Sequence, residues 1–308
     1  MKKINVLLAV ILTVLLLAGC SMKPPEWAKP KKATTGEMTI GLSISTLNNP
    51  FFVSLKDGVT AEAQKLGMKV IVVDAQNDSA KQNNDVDDLL QQGVDALLIN
   101  PADSAAISSA VQAANNLDIP VITLDRSADK GEVKTLVASN NVKGGQMAAE
   151  YLVKILGKGA KVIELQGVPG ASATRERGKG FHEVADSELD VIASQSADFD
   201  RTEGLNVMEN LLQAYPNVQG VFAQNDEMAL GAIEAITSAG KNIPVIGFDG
   251  SKDAINSIKQ GQLTATVAQQ PKLIGQMAVE AARDVLQGKK VASFIPAPLN
   301  LITKENVK

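Results

Sequence analysis

The chain carries the same run of segments twice, and this repeat limits its fold more than any other feature. The strand-like stretch that opens at Met38 recurs at Lys161, an offset of 123, and the one at Lys69 recurs at Val191, an offset of 122. ALLINPAD ends at Asp103 and VFAQND at Asp226, while IPVITLDR at 119 returns as IPVIGFDG at 243. Leu-Leu-Gln stands at 89–91 and again at 211–213. A register held over so many segments is an internal duplication.

In each half, short β-rich runs alternate with stretches of helical spacing. The runs are 38–45, 69–75, 96–101 and 120–125, then 161–167, 191–197, 218–226 and 244–250. Nearly continuous apolar strands alternating with helices predict a parallel sheet covered on both faces. Two copies predict an α/β chain of two doubly wound parallel-sheet lobes. TLVASN (135–140) and the tail from LTATVAQ (263–269) to PAPLNLIT (296–303) do not fit a plain tandem and are candidates for crossings between lobes. Ligands of open parallel sheets sit beyond the carboxyl ends of the strands, so two facing lobes place the site in the cleft between them.

The amino end reads differently. Lys2 and Lys3, an uncharged apolar stretch from Ile4 to Gly19, and small residues before Cys20 form a secretory signal. LAGC at 17–20 resembles the lipobox of bacterial lipoproteins, in which cleavage precedes a Cys that carries lipid. Residues 1–19 are therefore expected to be a lipoprotein signal peptide. Residues 20–36 follow as a lipidated Cys20 and a flexible tether containing Pro, Lys and Trp27. Two or more acyl chains anchor a protein stably, so the expected location is extracytoplasmic, lipid-anchored to the cell membrane. Cys20 is the only cysteine, which leaves no thiol for disulfide, redox, metal or nucleophilic chemistry. Loss of Lys2 and Lys3 takes the net charge from −4 to −6. An acidic body without a basic stripe argues against nucleic acid.

The strand ends hold the chemistry. Asn48-Asn49-Pro50-Phe51-Phe52 follows the first run, Asn100 the third and Asp125-Arg126 the fourth. In the second half VPGASATRERG (168–178) follows the first run and Ala197 to Arg201, with Phe199, the second. Asn225 and Phe248-Asp249 close the set, so Asn100 pairs with Asn225 and Asp125 with Asp249 under the repeat. Four of only ten aromatic residues, Phe51, Phe52, Phe199 and Phe248, stand at these ends. Adjacent helical residues point about 100° apart, so one buried stripe does not easily take both Phe51 and Phe52. A ring facing a ligand would explain the pair. Carboxylates accept hydroxyl protons, arginines donate, amides do both, and aromatic faces cover C–H surfaces. The set suits a small, neutral, polyhydroxylated molecule. Plainer roles stand beside this one. Asn49 and Pro50 also make a good helix N-cap and first position, Asp125–Arg126 a surface ion pair, Phe199 and Phe248 core, and one of Arg175 and Arg177 an exposed first-turn decoration.

Over nearly all of residues 37–308 the sequence resembles the D-ribose-binding proteins of bacterial ABC sugar transporters. STLNNPFFVSLKDG, LLINPADS, IPVITLDR, KVIELQGVPG, RERGKGF, ADFDR, VFAQNDEMALGA and VIGFDG carry the likeness. The resemblance implies that Asn49, Asn100, Asp125 and Arg126 hydrogen-bond the sugar and that Phe51 and Phe52 stack on it. From the other lobe it implies bonds from Arg177, Asn225 and Asp249, with Phe199 on the second face, Phe248 lining the pocket and Gln269 reaching in from the hinge. Val168 stands where the family commonly has a slightly larger aliphatic. The implied lobes are 37–139 with 270–298 and 140–269 with 299–308, joined by a three-strand hinge. The implied partners are D-ribose and a permease with a separate ATPase; no cofactor and a monomer are expected. Another monosaccharide such as allose or xylose, a furanose-like signalling molecule, or an added chemosensory role are the alternatives.

An enzyme is not expected. Asp125 and Asp249 across a cleft could suggest a glycosidase pair, but flanking cations and amides are expected to keep both ionised rather than raised. RERGKGF lacks the outer residues of a phosphate loop, and His182 is expected on a solvated helix surface. A sugar-responsive repressor would need a basic helix-turn-helix where the lipid-anchor signal stands.

Overall fold

The computed structural model describes residues 36–308. The signal, Cys20 and nearly all of the tether expected from the sequence lie outside the described residues. The first sheet is built from β1 (Thr39–Ile44), β2 (Lys69–Asp74), β3 (Ala96–Ile99), β4 (Val121–Leu124), β5 (Thr135–Ser139) and β11 (Phe294–Ala297). The second holds β6 (Lys161–Gln166), β7 (Asp190–Ser196), β8 (Gly220–Ala223), β9 (Val245–Asp249), β10 (Ala265–Ala268) and β12 (Asn300–Thr303). Their orders, β11-β5-β4-β3-β1-β2 and β12-β10-β9-β8-β6-β7, are the same order twice. Pairing is parallel throughout except between β10 and β12.

This symmetry corrects one expectation. TLVASN and LTATVAQ are equivalent fifth strands, β5 and β10, beside β4 and β9. Their offset departs from 123 because a helix, α8 (Lys252–Gln260), precedes β10 where the first lobe has only a loop before β5. The chain does pass between the sheets three times: after β5, after β10, and between β11 and β12.

Helices cover both faces. In the first lobe α1 (Pro50–Lys65) and α9 (Pro271–Leu286) share one face, burying Leu55, Val59, Ile274 and Val279 on Ile40, Leu42 and Leu98. On the other face α2 (Ser79–Gln91) and α3 (Ser108–Asn116) bury Leu89, Leu90 and Val111 on Leu97 and Ile99. Successive β3 residues thus serve opposite cores, as the alternation of a strand requires. The second lobe repeats this with α4 (Asn141–Leu156) and α5 (Ser172–Glu188) on one face, and α6 (Arg201–Ala214), α7 (Asp226–Ser238) and α8 on the other.

Within each lobe two helices approach closely through glycine. A Cβ on Gly180 would lie 1.9 Å from the Val142 carbonyl oxygen, and one on Gly145 would lie 2.1 Å from that of Arg177. These backbones touch, so α4 fixes where α5 carries Arg177. The α1–α9 crossing uses Gly58 in the same way, 2.2 Å from the Lys272 carbonyl oxygen. Overpacking of this kind costs about 1–3 kcal/mol or more when backbone must move. Gly145→Val should therefore lower the melting temperature by several degrees and also displace Arg177, whereas Gly58→Val should destabilise without displacing it. Thermal unfolding unchanged by either substitution would contradict the packing described here.

Candidate ligand-binding site

The cleft lies where the strand ends of the two sheets face each other. Asn49, Phe51, Phe52, Asp125, Arg126, Ala173, Arg177, Phe199, Asn225 and Asp249 line one small space in the cleft, about 20 Å³. Nine of these ten are residues expected from the sequence; Ala173, on the first turn of α5, is the addition. A second space of about 100 Å³ lies beyond Phe52, Arg126 and Phe199, and also touches Asn48, Asn77, Asp198 and Asp200.

Local rules of the chain place these groups. Asn49 is the N-cap of α1, its side chain accepting from the Phe51 N–H at 2.9 Å, with Pro50 at the first helical position. The cap reading and the cavity reading of Asn49 are thus both true. Asn225 caps α7 by accepting from the Met228 N–H at 2.9 Å and donates to the Phe199 carbonyl at 3.1 Å. Phe51 and Phe52 are 6 % and 4 % exposed, edge-on at 5.3 Å, and both pack into the first-lobe core while lining the cavity. The helix start is wrapped by protein on one side and by the cleft on the other.

Backbone strain gathers here. Asp125, Asp198, Phe199 and Asp249 have φ of 63°, 51°, 60° and 126°. Non-glycine residues in such regions cost about 1–3 kcal/mol each and cluster at functional sites.

The arginines are fixed from behind. Arg177 donates from Nε to Asn141 Oδ1 at 2.9 Å and from Nη1 to the Gln224 carbonyl at 2.7 Å, lies over the Phe248 ring at 3.9 Å, and stands 3.8 Å from Asp249. Arg126 donates to the Pro101 carbonyl at 3.0 Å and lies between Phe52 and Phe199, 5.0 and 5.4 Å from their centroids. Desolvated cation–aromatic contacts of this type are worth about 2 kcal/mol.

Three expected residues stand one layer back from the cavity. Asn100 is fully buried; its Oδ1 accepts from the Ser45 N–H and hydroxyl, and its Nδ2 donates to the Leu124 carbonyl. Phe248 is buried under Arg177. Gln269 donates from Nε2 to Asp249 Oδ1 at 2.9 Å. Residues the sequence reading did not single out, Asn141 and Gln224, orient Arg177. Gln224 is tied through its Nε2 to Glu164, a carboxylate set among the apolar Val162, Ile163 and Leu165 of β6. A charge within such a run signals a buried partner, but not which one.

Five buried side-chain atoms among the described residues have no hydrogen-bond partner, and three belong to this site: Asp125 Oδ1, Arg126 Nε and Gln269 Oε1. Leaving such a group unpaired costs about 1–3 kcal/mol.

Electrostatics correct two expectations. Burial pushes the Asp125 carboxyl above its ordinary range despite Arg177 and Arg126, and pushes Asp249 well above despite Arg177. Burial also lowers Arg126 to about 10. The flanking cations do not outweigh desolvation while the cleft is shut. His182 is only half-exposed and is paired rather than free: its Nε2 is 3.2 Å from the fully buried Glu164 and its Nδ1 2.6 Å from Asp186. The Glu164 hydrogen bond leads in raising its pKa from 6.5 to about 9. Burial pushes Glu164 up, but hydrogen bonds from His182, Gln224 and Gln166 hold it below its usual value.

Beside the cavity the lobes touch directly. The Ser104 N–H donates to the Gly170 carbonyl at 3.0 Å, the Ser172 N–H to Ser104 Oγ at 3.1 Å, and the Ser127 N–H to Ser172 Oγ at 2.9 Å. Arg175 pairs with Asp129 at 2.8 Å, so Arg175 is the lip residue and Arg177 the cleft residue. The cleft is closed.

A family model for the periplasmic binding protein domain matches residues 40–290. The chain belongs to the periplasmic binding protein family. It is 66% identical to the ribose import binding protein of Bacillus subtilis (strain 168) over 305 residues, 99% of each chain. Its fold matches that of an ABC transporter solute binding protein from Mycobacterium smegmatis with bound glycerol, at TM-score 0.85 and 35% identity, covering 88% of this chain and 96% of that one. The Caulobacter myo-inositol binding protein bound to myo-inositol matches at TM-score 0.85 and 33% identity, covering 90% and 96%. Among the described residues no helix is long and apolar enough to cross a membrane, and no group of three or more His, Cys, Asp and Glu could hold a metal ion.

A raised histidine pKa stabilises the fold fully below its unfolded value, near 6.5, and loses that effect as pH rises through about 9. His182→Gln should therefore lower the melting temperature clearly at pH 6 and much less at pH 10. An equal loss at both pH values would contradict the His182–Glu164 pairing.

Proposed function

We propose that this protein is an extracytoplasmic receptor that captures D-ribose by closing its two lobes over the sugar and hands it to an ABC transporter permease driven by a separate ATPase. The observation that carries this reading is a pair of buried polar atoms without hydrogen-bond partners, Asp125 Oδ1 and Arg126 Nε, in a cavity also lined by Arg177, Asp249, two amides and three aromatic rings. A ring bearing several hydroxyls satisfies donors and acceptors at once. A purely apolar ligand does not. The 66% likeness to a ribose import binding protein favours ribose among such molecules.

In this reading residues 37–139 with 270–298 form the first lobe and 140–269 with 299–308 the second. Asn49, Asp125 and Arg126 bond the sugar from one side, and Arg177, Asn225 and Asp249 from the other. Phe51, Phe52 and Phe199 cover its faces, while Asn100, Phe248 and Gln269 support from behind. Only the closed form lets both lobes touch the sugar, so the sugar shifts the open–closed equilibrium by its differential contacts. A sugar lacking one hydroxyl leaves a buried partner unpaired, at about 1–3 kcal/mol per group. The protein is a receptor and not a catalyst, acts as a monomer, and is held at the membrane by lipid on Cys20 after loss of residues 1–19.

Calorimetric titration of residues 34–308, unfolded and refolded to strip carried-over sugar, tests this directly. D-ribose should bind one to one at micromolar affinity or tighter, about −8 kcal/mol or better, with xylose, arabinose, allose, galactose and glucose far weaker. No heat with ribose and saturable binding of another sugar would overturn the assignment of ligand. Asp249→Asn should weaken ribose at least about tenfold, or 1.4 kcal/mol. An unchanged titration would remove Asp249 from the site.

A further inference from the structure

Asp226 does not line the cavity, yet it is fully buried one residue after Asn225. Its Oδ2 accepts from the Ser251 N–H at 2.7 Å and its Oδ1 from the Thr266 hydroxyl at 2.7 Å. Thr266 Oγ1 in turn accepts from the Gly250 N–H at 3.3 Å. A hydroxyl has one proton. With that proton committed to Asp226, the oxygen is left to accept from Gly250. Space for the carboxylate comes from Gly247, where a Cβ would lie 2.4 Å from Asp226 Oδ1.

These bonds hold the two residues that follow Asp249. Asp249 itself has φ of 126°, a region L side chains rarely adopt, and its carbonyl accepts from the Gln269 N–H at 2.8 Å. Such strain persists only where the surroundings over-determine it. Thr266 lies on β10, the strand that runs into the crossing at Gln269, so the turn is registered against the hinge. The duplication does not supply this device to the first lobe. Strand register places Ala102 and Leu136 where the second lobe has Asp226 and Thr266, and neither can make these bonds.

We propose that Asp226 and Thr266 are positioning residues for the binding site, holding the Asp249-Gly250-Ser251 turn so that the Asp249 carboxylate points into the cleft. This rests on the reading that Asp249 holds the sugar. Removing the Thr266 hydroxyl frees the Gly250 N–H and lets the strained turn relax. The loss then appears in ligand affinity, through Asp249.

The test is a double-mutant cycle read by calorimetry with D-ribose, with melting temperature followed in parallel. Thr266→Val should weaken ribose at least about tenfold, Thr266→Ser should restore affinity to within about threefold, and in the Asp249→Asn background Thr266→Val should cost less than about twofold more. Asp226→Asn offers the same cycle if Thr266→Val yields no folded protein. Thr266→Val with ribose affinity within about twofold of the parent overturns the proposal, as does an equal loss in both backgrounds. If Asp249→Asn itself leaves the titration unchanged, the sugar-binding role of Asp249 falls and this inference falls with it. If Asp249→Asn weakens binding and Thr266→Val is simply additive, only the positioning role is lost.

Discussion

Everything in this molecule depends on burying charge between two lobes that touch. Asp125, Arg126, Arg177 and Asp249 are all buried in the closed cleft, and Asp125 Oδ1 and Arg126 Nε have no hydrogen-bond partner there. Burial raises both carboxyl pKa values and lowers that of Arg126, the signature of groups that lose water without full compensation. A shut, sugar-free cleft is therefore disfavoured by its own polar groups. In the proposed function, ligand hydroxyls placed at those atoms remove that penalty, and selectivity follows from how many they reach.

The scaffold makes such a site affordable. Two copies of one sheet order bring equivalent strand ends face to face, so each lobe contributes an aspartate at the end of its fourth strand. Both aspartates sit at positive φ, and two helix caps, Asn49 and Asn225, stand beside them. The rigid parts lie behind. Phe248 and Asn141 hold Arg177, α4 presses on α5 through glycine, and the Glu164–Gln224 pair braces the strand ends from below. The lip contacts at Ser104, Ser127 and Ser172 use neutral groups, which contribute little net energy to closure.

Much of this was legible in the sequence because it is written in local patterns. The repeat gave both sheets, apolar runs marked the eight central strands, and strand-end position picked out the residues that line the cavity. What was hidden depends on contacts between distant segments. The equivalence of β5 and β10 was masked by the length of α8. That Asn100 spends its amide on Ser45 and Leu124 follows only from where those backbones lie. The raised aspartate pKa values depend on closure, because the same neighbours in an open cleft would leave water on the carboxylates. His182 looked solvated because its partner Glu164 lies 18 residues away on a strand.

The most direct measurement is the distance between the lobes in solution. Residues 36–308 contain no cysteine, so Lys130→Cys and Lys179→Cys, both on exposed positions of opposite lobes, accept a pair of probes. Closure driven by the sugar predicts a longer, dominant distance without ribose and a single shorter one with saturating ribose, with no shift on adding glucose. The same distance distribution with and without ribose would contradict it.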